Sequence, residues 1–250
     1  MPAGPRIDVL TLFPELLEPF IKGSVLGAAL REGRAEVRVT DLRAYTSDRH
    51  RTVDDTPLGG GDGMVIKCEP TVAAIEAVRG PAGRVFVLSP RGRMLDQALA
   101  QELSREHQIV LVCGRYAGLD ERILEVTGAE ELSIGDYVLS GGEAAALVVM
   151  EVVTRLIPGV LGNPSSPEHD SFSEGLLEHP QYTRPRVFRG HKAPEVLLSG
   201  NHAAIERFRR ERSLRLTFER RPELLDRAEL SEEDRRFLRE LKHGTDSGNR

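Results

Sequence analysis

The 250-residue chain has no tryptophan, only two cysteines and an aromatic content of 5%. Two cysteines cannot build a disulfide framework. Cys68 and Cys113 each sit among apolar residues, which suits buried thiols in a reducing compartment, the cytoplasm. Long apolar runs are also missing. The most apolar stretch, 144–153, is broken by Glu151 and closed by Arg155 and Pro158, short of the roughly 20 residues that span a bilayer. The residues before Pro14 carry no apolar core of a signal peptide, so no membrane association is expected. The triple glycine 59–61 is not followed by the Gly-Lys-Ser/Thr of a phosphate loop, and it lacks the strand–turn–helix spacing of a dinucleotide fold. The seven histidines show no metal-ligand spacing, and no Gly-x-Ser-x-Gly elbow occurs. NTPase, zinc hydrolase and serine hydrolase are therefore poor descriptions, and no cluster of side chains announces a metal site.

An apolar fraction of 40% and a charged fraction of 29% mark an ordinary globular chain. Net charge is −5, but it is unevenly spread. Residues 186–221 hold ten Lys/Arg against four Asp/Glu, or +6, which leaves −11 for the remainder. A basic segment on an acidic protein is a candidate phosphate-binding surface.

Strand-like runs fall at 6–12, 35–40, 84–88 and 108–112, with helical patterns at 71–79 and 96–106 between them. Alternating strands and helices predict an α/β fold with a mainly parallel sheet. Val85-Phe86-Val87-Leu88 and Ile109-Val110-Leu111-Val112 have no polar face, so they read as central strands covered on both sides. Residues 142–155 are apolar nearly all round and predict a buried helix, suited to a subunit interface. Pro, Ser and Gly then dominate 163–175, a loop by composition. Beyond it, Asn201 opens a basic helix carrying Ile205 and Phe208, Pro222 can open another helix, and Ser231-Glu232-Glu233-Asp234 is a capping-box variant. The expected organisation is an α/β domain over 1–160, a flexible linker over 161–175 and a small all-α domain over 176–250.

Three blocks occur in order. The first runs from Asp48-Arg49-His50-Arg51-Thr52 through Leu58-Gly59-Gly60-Gly61-Asp62-Gly63-Met64, and the second is Val112-Cys113-Gly114-Arg115-Tyr116. The third is Ser133-Ile134-Gly135-Asp136-Tyr137-Val138-Leu139-Ser140-Gly141-Gly142-Glu143. With Leu88-Ser89-Pro90, Arg155-Leu156-Ile157-Pro158-Gly159 and Leu198-Ser199-Gly200-Asn201-His202, they closely resemble the bacterial tRNA (guanine-N1)-methyltransferases, the TrmD family of SPOUT-type enzymes. The likeness covers almost the whole chain.

That resemblance implies a homodimer whose first domain carries a deep trefoil knot near its C-terminal end. It implies S-adenosylmethionine as methyl donor, and N1 of guanosine 37 of tRNA, 3′ of the anticodon, as acceptor. Cofactor binding would fall to Leu88, Ser89, Pro90, Gly114, Tyr116, Ile134, Gly135, Asp136, Tyr137, Val138, Leu139, Gly141 and Gly142. Glycines there let backbone N–H and C=O groups approach the adenine and ribose edges. Taken without the resemblance, Gly135, Gly141 and Gly142 make no more than a turn before a helix.

Methylating N1 requires loss of the N1 proton while charge builds on O6, so a base must reach N1 and a donor must face O6. The resemblance gives these roles to Asp170 and Arg155, with Glu168 and His169 as lesser candidates for the proton. A solvated aspartate is a weak base, so the linker is expected to fold over bound RNA and take Asp170 out of water. Family behaviour adds assistance by Mg2+. Arg49, His50, Arg51 and Gly60 would face RNA, and Arg207, Arg209, Arg210 and Arg212 would contact phosphates. The chain departs from the family pattern at Ala117, where glutamate is usual, and at Leu58 and Asp62 around the triple glycine. Three other descriptions compete: a knotted methyltransferase of another RNA site, a catalytically weak cofactor- and RNA-binding protein, and a nucleotide-dependent oxidoreductase.

Overall fold

The computed structural model describes residues 4–162 and 170–247. The chain divides into two compact units, Met1–Pro164 and Ser165–Arg250. Most of the expected linker's Pro/Ser-rich part, 163–169, lies outside the described residues, as do Glu168 and His169.

The first unit is built on a five-stranded sheet of β1 (Arg6–Thr11), β2 (Glu36–Asp41), β5 (Gly83–Met94), β6 (Gln108–Cys113) and β7 (Glu130–Ser133). Its order is β2-β1-β6-β5-β7, and every pairing is parallel. Strand β6 lies at the centre and all six of its residues are buried. Alternate residues leave a strand on opposite faces. Ile109, Leu111 and Cys113 therefore join Ile7, Val9 and Phe86 on one side, while Val110 and Val112 join Leu10, Val85 and Val87 on the other.

Helices α1 (Glu18–Lys22), α2 (Ser24–Arg31), α4 (Gln97–Leu103) and α6 (Glu143–Arg155) bring Phe20, Leu26, Leu99, Leu103, Val149 and Met150 to the first face. Helices α3 (Cys68–Val78) and α5 (Arg122–Thr127) bring Ala74, Ile75 and Ile123 to the second. Burying a side chain of this size stabilises the fold by about 1.5–3 kcal/mol. Asp96 caps α4 by accepting from the backbone N–H of Leu99 at 2.8 Å, as its place before the helix dictates. A small antiparallel pair, β3 (Asp54–Asp55) and β4 (Val65–Ile66), brackets the glycine loop. Neither strand was legible at two residues each.

The second unit contains α7 (His202–Arg220) and α8 (Glu232–Ser247). Asn201 caps the first, accepting from the Ala204 N–H at 3.2 Å. At the start of the second, the Ser231 N–H donates to the Asp234 carboxylate and the Asp234 N–H to the Ser231 hydroxyl, the reciprocal bonds of a capping box. Pro222 opens only a 3-10 turn, Pro222–Asp226. The unit departs from an all-helical expectation by one hairpin, β8 (Val187–Phe188) and β9 (His191–Lys192). Its turn residues Arg189 and Gly190 both have positive φ, 48° and 85°, the geometry that tight hairpins favour. Among the described residues of this unit only two apolar side chains, Leu176 and Leu214, are buried.

Candidate active site

Three loops leave the carboxyl ends of β5, β6 and β7, where open α/β sheets place their ligand sites. The first is a break within β5. Leu88 and Arg93 both pair with Leu132, so residues 89–92 loop out between them. Gly92 lets that loop pass, because a Cβ there would strike the backbone at Glu131. The second loop follows Cys113. Its Tyr116 has φ +59°, a sparsely populated conformation for a bulky residue, and is half exposed. The third follows Ser133 and ends at Gly142, whose N–H donates to the Gly114 carbonyl at 2.9 Å. A Cβ on Gly142 would come within 2.7 Å of the Cys113 Cα, so glycine is what allows the second and third loops to touch.

Together these loops wall a cleft of about 370 Å³, within the range of small-ligand sites. Leu88, Ser89, Pro90, Gly114, Tyr116, Ile134, Gly135, Tyr137, Val138, Leu139, Gly141 and Gly142 all line it. Asp136 does not. The walls are part backbone and part exposed apolar surface from Tyr137, Val138 and Leu139. Such a lining fits a flat base with a ribose and a short charged tail.

The cleft's charged groups come from separate loops. Arg91 donates to Glu121 at 2.9 Å and to Glu131 at 2.8 Å, and these two bonds raise its pKa further. The bond from Arg122 to Asp120, 2.6 Å, holds that carboxyl well below the usual range. Ala117 also faces the cleft. Its N–H donates to Met64 O at 2.9 Å, and Ile66 exchanges backbone bonds with Gly118 and Asp120. The segment after the glycine loop is thus stitched to the cleft's second loop, a juxtaposition that sequence reasoning missed.

It also missed the post beneath the site. Glu143, in the first turn of α6, is buried at 4% exposure. Thr11 Oγ1 donates to its Oε1 at 2.7 Å, and Arg115 Nη2 lies 3.2 Å from Oε2. That second contact is an ion pair without hydrogen-bond alignment. The Arg115 guanidinium also covers the Phe13 ring at 4.3 Å. Only its place, a lone charge opening an apolar helix after two glycines, hinted at a buried role. Burial pushes the neighbouring Cys113 thiol well up, with the Glu143 charge adding to it. Cys68, half-buried, is raised to about 11, chiefly by burial.

Arg155 ends α6 and is half-buried. Asp170 belongs to the second unit, where its backbone carbonyl accepts from the Ser173 N–H at 3.2 Å. Arg49, His50 and Arg51 lie on an exposed turn organised by Asp48, whose carboxylate accepts from the His50 and Thr52 N–H groups. Gly60 has φ +82° and no heavy atom within 4 Å of where a Cβ would stand. Arg207 pairs with Glu233, Arg209 with Glu206, and Arg210 with Glu174 and Asp234. Arg212 covers the Phe208 ring at 5.1 Å. Among the described residues no group of three or more His, Cys, Asp or Glu could hold a metal ion, and no helix is long and apolar enough to cross a membrane.

A parallel α/β sheet with a glycine-walled, nucleoside-sized cleft at its carboxyl edge defines the class: a cofactor- or nucleotide-binding α/β protein. Residues 5–227 match the family described as tRNA (Guanine-1)-methyltransferase TrmD. A tRNA (guanine-N(1)-)-methyltransferase of Geobacter metallireducens is 50% identical over 241 residues, covering 96% of this chain and 98% of its own. Its counterpart in Moorella thermoacetica is 52% identical, with 94% and 96% covered. The one from Limosilactobacillus fermentum is 49% identical, with 95% and 96% covered. The chain belongs to the tRNA (guanine-1)-methyltransferase family.

Proposed function

We propose that this chain transfers a methyl group from S-adenosylmethionine to N1 of guanosine 37 of tRNA, acting as a cytoplasmic homodimer with a trefoil-knotted first domain. The observation that carries this is the cleft, formed where 88–90, 114–116 and 134–142 converge in a chain of this family. The glycine contacts that press the second and third loops together support a threaded arrangement. Dimerisation finds support on α6, where Val148 and Ala144 leave an apolar strip exposed.

When bound, S-adenosylmethionine supplies an electrophilic methyl group. Backbone groups of 114–116 and 134–142 would read its adenine and ribose, and Leu139 and Tyr137 would exclude water from it. Asp170 would accept the N1 proton as the linker folds over RNA, and the Arg155 guanidinium would donate to O6 as charge develops there. Arg49, His50, Arg51 and Gly60 would meet the anticodon region. Arg207, Arg209 and Arg210 would reach phosphates only by giving up their present carboxylates. Arg212, held on a ring instead, has no such exchange to make. Mg2+ would assist the transfer.

The test uses labelled S-adenosylmethionine and tRNA transcripts carrying G or A at position 37, with the product mapped. Methyl on N1 of that guanine alone supports the proposal. Transfer elsewhere would point to another RNA site, and binding without transfer to a non-catalytic role.

A further inference from the structure

The second unit leaves one long surface element without a structural explanation. Every residue from Pro180 to Lys192 is exposed. From Gln181 to Lys192 there are four Arg/Lys, namely Arg184, Arg186, Arg189 and Lys192, and no Asp or Glu. Among the described residues none of these four forms an ion pair, unlike three of the six arginines of α7, Arg207, Arg209 and Arg210, which are matched by carboxylates on their own unit. The same element exposes Tyr182 at 50%, Val187 at 51% and Phe188 at 61%. Phe188 stands beside the hairpin turn, opposite His191, with the Arg189 guanidinium 5.4 Å from its ring.

A two-stranded hairpin of this size gains no core from such residues, and one exposed cation–π contact adds at most about 1 kcal/mol to folding. Single-stranded nucleic acid asks for this pairing. Cations follow the backbone phosphates, and an aromatic face takes an unstacked base. A two-fold contact between copies would instead set eight like charges against each other, at a cost.

We infer that the 181–192 hairpin, rather than the arginine face of α7, is the second unit's main RNA-binding element. Phe188 stacks on an unpaired base, and Arg186, Arg189 and Lys192 lie along the adjoining phosphates. This rests on the proposal that tRNA is the substrate, and it assigns the contact within the second unit.

The experiment measures binding of a fluorescent tRNA transcript to the full chain, without methyl donor, from about 50 to 200 mM salt. Replacing Arg186, Arg189 and Lys192 together by Ala should flatten the slope of log affinity against log salt by about 2, at roughly 0.7 per single-strand phosphate contact. Phe188→Ala should weaken binding roughly 5- to 150-fold at every salt with the slope unchanged, and Phe188→Trp should keep it. The inference is overturned if wild type binds and these variants match it in affinity and slope. It is also overturned if Phe188→Ala keeps its RNA affinity but loses self-association in sedimentation without RNA, since the hairpin then seats on a second copy. A wild-type chain that binds no tRNA would overturn the functional proposal itself.

Discussion

The first unit holds its working loops with backbone and one buried carboxylate, whereas the second holds its helices with partly exposed side-chain pairs around a thin core. In the first, Glu143 sits under the cleft at 4% exposure and ties Thr11 to Arg115, and glycines let the surrounding loops touch. In the second, Leu176 and Leu214 are the only buried apolar side chains among the described residues, and Arg210 spans Glu174 and Asp234. A cofactor pocket needs fixed geometry, which dense packing supplies. An RNA-facing unit needs exposed charge, and each cation left unpaired is one withheld from stability.

The hardest test of this division is Asp170, which lies in the second unit although the cleft lies in the first. If it is the base, Asp170→Asn should lower single-turnover methyl transfer by about 100-fold or more, with cofactor binding by the free protein unchanged. Near-normal transfer would put the proton elsewhere, with Glu168 and His169 the next candidates.

Glu143 tests the first unit's side. Glu143→Gln leaves the Arg115 guanidinium, only 21% exposed, without its counter-charge. Breaking a buried pair costs several kcal/mol, and the partial exposure of Arg115 brings the expected loss to about 2–3 kcal/mol. It should appear as a lower denaturation midpoint and weaker S-adenosylmethionine binding, since Arg115 belongs to the loop beside Gly114 and Tyr116. Unchanged cofactor affinity would show that the post supports the sheet and not the cleft.

How much of this was legible depended on whether the partners lay close in sequence. Val85–Leu88 and Ile109–Val112 announced covered central strands because each run lacks a polar face. Ser231 and Asp234 announced a cap because they stand three positions apart. Glu143 did not announce a buried post, because its donor Thr11 is 132 positions away. Arg91, Glu121 and Glu131 converge from three segments and carry no spacing signal. The arginines of α7 looked like a free cationic face because Glu233 and Asp234 sit on another helix. The acid-free stretch 181–192 was visible, but only its exposure gives it meaning.

Asp234 tests the second unit's reliance on pairs. Burial works to raise its pKa, but the Arg210 side chain and the Ser231 backbone N–H outweigh that and leave it below 3.8. A carboxyl depressed in the folded state stabilises above its unfolded pKa, and that contribution is lost as pH falls through the folded value. Asp234→Asn should therefore destabilise the protein by about 1–2 kcal/mol near neutral pH. Wild type should approach the variant's stability as pH falls below 3.8. A gap between them that stays constant from pH 7 to that range would assign the loss to packing instead of charge.

The smallest effect is expected at Arg207, and it separates the two basic surfaces of the second unit. Its guanidinium lies 3.5 Å from Glu233, and both side chains are mostly exposed, so the pair contributes within about 0.5 kcal/mol to stability. To reach a phosphate Arg207 must give up that carboxylate, which cancels part of the counterion release that would drive the contact. Arg207→Ala should therefore change tRNA affinity by less than about threefold and leave the salt slope nearly unaltered, where replacing Arg186, Arg189 and Lys192 changes both. A drop in slope near 0.7 from Arg207 alone would mean that RNA strips the pair apart, and that α7 and the hairpin form one continuous binding face.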